Sequence, residues 1–194
     1  RNPAPETKAA VRILTTLALL LLALPARADD IVKLDGSQIS GVRVEAETYE
    51  KVTYKKAGLP GTQEISTADV RDIKYGRTSS AYREALRELE QGNARAAIEL
   101  YIAAAEDAGS AEHLRATARV KAAELMLNQG YLADAIVQFD ALLEEHPKTR
   151  HLGRALMGKG RAMLRSGDAA GAVATFESLK AQAANLGERW ELEA

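Results

Sequence analysis

Cysteine is absent from the 194 residues. That excludes disulfides, thiolate metal sites, cysteine nucleophiles and a lipidated cysteine anchor. Charge of one sign is absent too: 26 basic side chains face 27 acidic ones, a net charge of -1, so the chain as a whole has no electrostatic drive toward nucleic acid. No apolar run reaches the roughly 20 residues that a membrane-spanning helix needs. An HExxH pair, a paired-carboxylate motif and a glycine-rich phosphate loop are likewise missing, so the residue pattern offers no catalytic constellation and calls for no cofactor and no metal.

The longest uncharged, mostly apolar run is Ile13 to Leu24, preceded by Lys8 and Arg12 and followed by Pro25-Ala26-Arg27-Ala28. A basic flank, a short apolar core and small residues at positions -3 and -1 of a cut after Ala28 predict a secretory signal peptide over residues 1-28, with an uncleaved membrane anchor as the rival reading. Either way the remainder is exported, to a periplasm or cell envelope. The first residue is Arg1, so the chain reads as a piece of a longer one. Without residues 1-28 there remain 22 basic and 26 acidic groups, a net charge of -4. A cysteine-free fold in an oxidising compartment must rely on packing alone.

Two compositions follow. Between Asp29 and Tyr75 nine Val or Ile stand against two Leu, whereas from Arg77 onward 42 Leu or Ala stand against six Val or Ile. β-Branched residues favour pleated surfaces and Leu and Ala favour helix, so a boundary near Gly76 separates a strand domain, 29-76, from a helical one, 77-194. Ser79, in Thr78-Ser79-Ser80, offers the first helix N-cap.

In the strand domain, Ile31 to Leu34 precedes an Asp35-Gly36 turn. Gln38 to Glu47 alternates inward at Val42, Val44 and Ala46, and Glu50 to Lys56 at Val52 and Tyr54. Gln63 to Ser66 and Val70 to Tyr75 complete five short strands. Too few for two packed sheets, they predict a small five-stranded β-barrel, bent at Gly41.

In the helical domain a pattern recurs: helix, Gly break, helix with Ala and an aromatic four places on. The breaks are Gly92, Gly130 and Gly167. The pairs are Ala97 with Tyr101, Ala135 with Phe139, and Ala172 with Phe176. Two-helix units spaced by 38 and 37 residues cannot close a core alone and must stack on one another, giving an all-α solenoid of helical hairpins and an α+β multidomain chain overall. Gly153, Gly158 and Gly160 read as packing sites for neighbouring helices, and the three histidines, His113, His146 and His151, as solvent-facing or helix-terminal.

Leu34-Asp35-Gly36-Ser37-Gln38-Ile39-Ser40-Gly41, with Ile65-Ser66 and Asp69 to Ile73, resembles the Sm-like small barrels. Their RNA-binding loop residues have no counterpart in Glu47-Thr48-Tyr49-Glu50, and no Arg-Gly precedes Val70, so the resemblance implies the barrel and not RNA binding. Gln129-Gly130-Tyr131-Leu132-Ala133-Asp134-Ala135-Ile136, with Phe139, Leu142 and Pro147, resembles the tetratricopeptide repeat (TPR) family. Gly160, Met163, Gly167, Ala172 and Phe176 repeat the pattern, and Trp190 falls where a fourth repeat would begin before the sequence stops at Ala194. The first copy, Ala97 with Tyr101, carries charged Glu88 where the family has an aromatic. Repeats of this kind imply a scaffold for protein-protein interaction, and an unfinished last repeat implies self-association through its exposed face.

One stretch stands out. Lys148 to Arg165 holds six basic residues and no acid. At 100° per residue Arg150, Arg154, Arg161 and Arg165 fall within about 60° of one another on a helix. The resemblance places Arg154, Arg161 and Arg165 on the concave groove, extended by Lys121, Asn128 and Tyr82. That predicts a groove for a carboxylate-bearing or acidic peptide partner. The plainer expectation is a solvated face balanced by acids such as Glu124 and Glu144-Glu145. The reading is therefore an exported non-enzymatic scaffold or adaptor that binds protein, needs no nucleic acid and keeps no membrane span after signal cleavage. The alternative is an envelope-polymer or anionic-ligand binding module using the same arginine face.

Overall fold

A computed structural model describes residues 28-186, with side chains of 183-185 excepted. The signal peptide expected over residues 1-28, Ala28 apart, and Trp190 with its expected fourth repeat lie outside the described residues. Five strands come first: β1 (Asp29–Lys33), β2 (Gln38–Glu47), β3 (Lys51–Lys56), β4 (Gln63–Ser66) and β5 (Val70–Lys74). All neighbours are antiparallel, in the order β4-β3-β2-β1-β5. Ile31 lies opposite Ile73 and Val44 opposite Tyr54. Alternate positions along each strand share a face, and Ile31, Val42, Val44, Val52, Tyr54, Val70 and Ile73 gather there as one buried cluster.

The sheet is open, which corrects the closed barrel. β4 and β5 are its two edges, yet only a 3-10 turn, Thr67–Asp69, separates them in sequence. The steps from Ser66 to Val70 reach at most about 14 Å, while a flat five-stranded sheet is about 19 Å across. The sheet must therefore curl until its edges approach. The 3-10 turn keeps them from pairing: Thr67 N–H donates to Glu50 O of the β2–β3 turn and Asp69 O accepts from Leu34 N–H beyond β1. Gly41 adopts φ +72° within β2, where the strand bends. A bulge between Val44 and Ala46 shifts the alternation by one, leaving Ala46 exposed and burying Glu47 instead, contrary to the expected Val42, Val44, Ala46 stripe.

Six helices follow: α1 (Ser80–Glu90), α2 (Ala94–Glu106), α3 (Glu112–Gln129), α4 (Leu132–Glu145), α5 (Leu152–Ser166) and α6 (Ala169–Leu186). Ser79 caps α1, its hydroxyl accepting from Tyr82 N–H at 3.1 Å. Each helix packs on the next, and α3 also touches α5. The three expected breaks share one geometry. Gly92, Gly130 and Gly167 have φ of +82°, +83° and +93°. Their N–H groups donate three residues back, to Leu89, Leu127 and Leu164, and the following N–H groups donate five back, to Glu88, Met126 and Met163. This is the Schellman closure, which needs a left-handed residue and so selects glycine.

The Ala and aromatic pairs lie at the helix contacts. Ala97, Tyr101, Ala135, Phe139 and Ala172 are buried, with Phe176 half-buried. Phe139 of α4 presses its ring onto Gly158 of α5, and Phe176 of α6 presses onto Gly160, so a methyl group at either glycine would overlap a ring. Gly153, Gly158 and Gly160 are all buried in α5, as expected of packing sites. Among the described residues no helix is long and apolar enough to cross a membrane.

Candidate functional site

The basic stretch is divided by its position relative to α5. Arg150 lies in the turn before α5 begins at Leu152, so the helical wheel does not apply to it. Its side chain is 9% exposed and its Nε donates to Glu47 of β2, itself 2% exposed. Arg150 is therefore a buried anchor between sheet and helices and not a groove residue. Tyr82 is also buried, packed edge to face on Tyr101 with ring centroids 5.3 Å apart, and does not extend a groove.

The helical arginines differ. Arg154 donates through Nε to Glu124 of α3 at 2.9 Å, Lys159 pairs with Asp140 at 2.6 Å, and Arg165 donates to the Leu127 carbonyl at 2.7 Å. Arg161 and Arg165 are exposed, as is Asn128, while Lys121 is half-buried. Burial, then the charge of Arg154, lowers the Lys121 pKa below its ordinary value. The anticipated balancing by acids holds for Glu124. Glu145 instead serves Arg119, a buried arginine of α3 that also donates to Gln138.

Around Glu47 lies a polar junction that joins the two halves of the chain. Tyr75, just after β5, donates its hydroxyl to Glu47 at 2.6 Å and meets Thr117 of α3 at 3.2 Å. Thr117 donates to the His113 carbonyl at 2.8 Å and contacts His151 Nε2 at 2.9 Å. Giving the single Thr117 proton to that carbonyl assigns the His151 proton to Nε2, donated to Thr117, and avoids burying an Nδ1–H with no acceptor. Its Nδ1 is then a bare lone pair, consistent with the lack of any partner there. Burial, reinforced by Arg150, Arg154 and Lys121, holds the His151 pKa well below 6.5. Burial also lowers that of His113, whose ring lies 5.8 Å from Tyr75, and burial beside Glu47 raises that of Tyr75.

His146 at the C-cap of α4 and His151 at the N-cap of α5 are helix-terminal, but both are buried, 4% and 1% exposed, and not solvent-facing. The cause is the α4–α5 turn, which is held under the sheet by Tyr49 N–H donating to the Lys148 carbonyl at 3.0 Å. Asp29 adds a second tie: its carboxylate accepts from Val44 N–H and from Gly76 N–H, each at 2.8 Å.

Sequence reasoning missed Asp29, Glu47, Tyr75 and Thr117, because their partners lie up to 103 positions away. The one local signal was Glu47 at the end of an alternating strand, concealed by the bulge. Among the described residues no three metal-ligating side chains come together. No protein-family model matches the chain, and no curated protein matches it.

Proposed function

We propose that the chain is an exported, non-enzymatic scaffold whose TPR-like hairpins hold a protein partner in a bacterial-type cell envelope, with the exposed face of α5 as the contact surface. The observation that carries this reading is the recurrence of one hairpin, closed each time by the same Schellman glycine and packed each time through an alanine and an aromatic ring. Units that bury their faces only against neighbours form extended surfaces suited to binding other chains. Arg161 and Arg165, exposed and without an ion pair among the described residues, supply a positive edge for carboxylates. The signal-peptide pattern supports export, and the Leu-x-Asp-Gly turn supports kinship of the curled sheet with Sm-like folds.

Reversing both charges, Arg161→Glu with Arg165→Glu, changes exposed groups; it gives up the Arg165 bond to the Leu127 carbonyl and should lower the melting temperature by no more than about 5 °C, leaving the chain folded. Partner recovery from envelope extract on the tagged chain should drop about tenfold in the variant, and the recovered protein, once purified, should bind wild type directly. An unchanged recovery pattern refutes the α5 face as the contact surface.

A further inference from the structure

A half-open cleft of about 810 Å³ lies between β2, the β3–β4 loop, the sheet-to-helix linker and the loop before α3. Four cations line it, Arg43, Lys55, Lys56 and Arg77, against one carboxylate, Asp29. That carboxylate is already committed to the Val44 and Gly76 amides. Lys55 is paired with Glu45 at 2.8 Å. Among the described residues Arg43, Lys56 and Arg77 form no ion pair, and all three are exposed. Apolar groups share the cleft: Leu59, 50% exposed on the β3–β4 loop, and Leu114 at the start of α3.

We infer that this cleft is a second binding site, separate from α5, for an acidic peptide segment carrying an apolar side chain between its carboxylates. The cations come from three separate segments around an open cleft with apolar walls. That spread suits an extended ligand with several negative groups, whereas a single phosphate is held by donors converging on one point. Residues 1-27, joined to Ala28 at the cleft, carry four basic side chains and one acid, so the chain's own leader has the wrong charge to fill it. Charge pairing would fix the peptide's register, and burial of its apolar side chain against Leu59 and Leu114 would add affinity that salt does not remove.

The test uses the full chain and a fluorescein-labelled peptide of alternating glutamate and leucine, followed by fluorescence anisotropy. The same peptide with glutamine for glutamate should bind about tenfold more weakly or worse. Arg43→Glu with Arg77→Glu should weaken the acidic peptide by about tenfold or more, and Leu59→Asp should weaken it several-fold. Arg161→Glu with Arg165→Glu should leave it unchanged, which separates this site from the α5 surface. A photoreactive leucine in the peptide should label residues 57-61 and 109-114, a readout that holds even if a charge variant folds poorly. Full affinity in the Arg43/Arg77 variant, or labelling confined to α5, overturns the inference. So does displacement by inorganic phosphate or a polyuronate as effective as displacement by unlabelled peptide, which would make the cleft a general anion site. Self-association of the chain that the peptide abolishes would assign the cleft to a second copy and overturn it equally.

Discussion

A histidine with nowhere to place a second proton is the most consequential single residue of the junction. His151 donates from Nε2 to Thr117 and leaves Nδ1 without a partner, with Arg150, Arg154 and Lys121 opposing any added charge. The folded chain therefore keeps this ring neutral at pH values where the unfolded chain, with the ordinary value of 6.5, has already bound a proton. Because the unfolded state binds more protons, stability falls as pH drops below about 6.5, by up to about 1.4 kcal/mol per pH unit for this group, and its contribution is constant above that. His113, lowered by burial, acts in the same direction. Urea midpoints compared at about pH 5 and about pH 7.5 should show the loss, and His151→Gln should flatten much of the slope. A slope identical in that variant would place the proton uptake elsewhere.

At the scale of elements, helix pairing is decided where an aromatic ring replaces a missing side chain. Phe139 on Gly158 and Phe176 on Gly160 bring α4 and α6 against opposite contacts of α5. The glycines cost helix propensity, about 1 kcal/mol each relative to alanine, and the close approach of packed rings offsets it. Gly158→Ala should therefore destabilise the chain by about 1–3 kcal/mol despite its better propensity, since the added methyl overlaps the ring. Combining it with Phe139→Leu, which makes room, should recover part of the loss. Chemical denaturation of the two variants checks this, and a stabilised Gly158→Ala chain would contradict the packing. The strand elements carry a parallel lesson. Strand positions and hairpin breaks were legible because they rest on local signals, β-branched runs and glycine turns. The inward face of β2 beyond Val44 was not, because a bulge is one extra residue that leaves no mark on composition.

For the molecule as a whole, the ion pair of Glu47 with Arg150 spans 103 positions and links β2 to the α4–α5 turn. Glu47→Ala strands a buried guanidinium and should cost about 3–5 kcal/mol. Joint replacement, Glu47→Leu with Arg150→Met, should cost clearly less than Glu47→Ala, because no charge is left uncompensated. Since the pair ties sheet to helices, hydrogen-exchange protection of the β2 and β3 amides and of the α5 amides should weaken together in Glu47→Ala. Protection lost in the strands alone, with α5 unchanged, would show that the two halves unfold independently.

Much of this was settled before folding is considered. The sequence by itself determined which segments are strand and which are helix, where they break, and that two-helix units recur at spacings of 38 and 37 residues. Propensity, capping and turn geometry act over a few residues. Only the tertiary structure decided that the sheet curls without closing and that Glu47 faces inward. It also decided that Arg150 and His151 are buried while Arg161 stays exposed, and that Arg43, Lys56 and Arg77, without an ion pair among the described residues, line a cleft between the sheet and α3. Those outcomes depend on the register of distant segments and on which charge finds a partner across a desolvated contact. Helical periodicity alone could not assign Arg150, because its position was set by the turn before α5 and by a carboxylate from the other end of the chain.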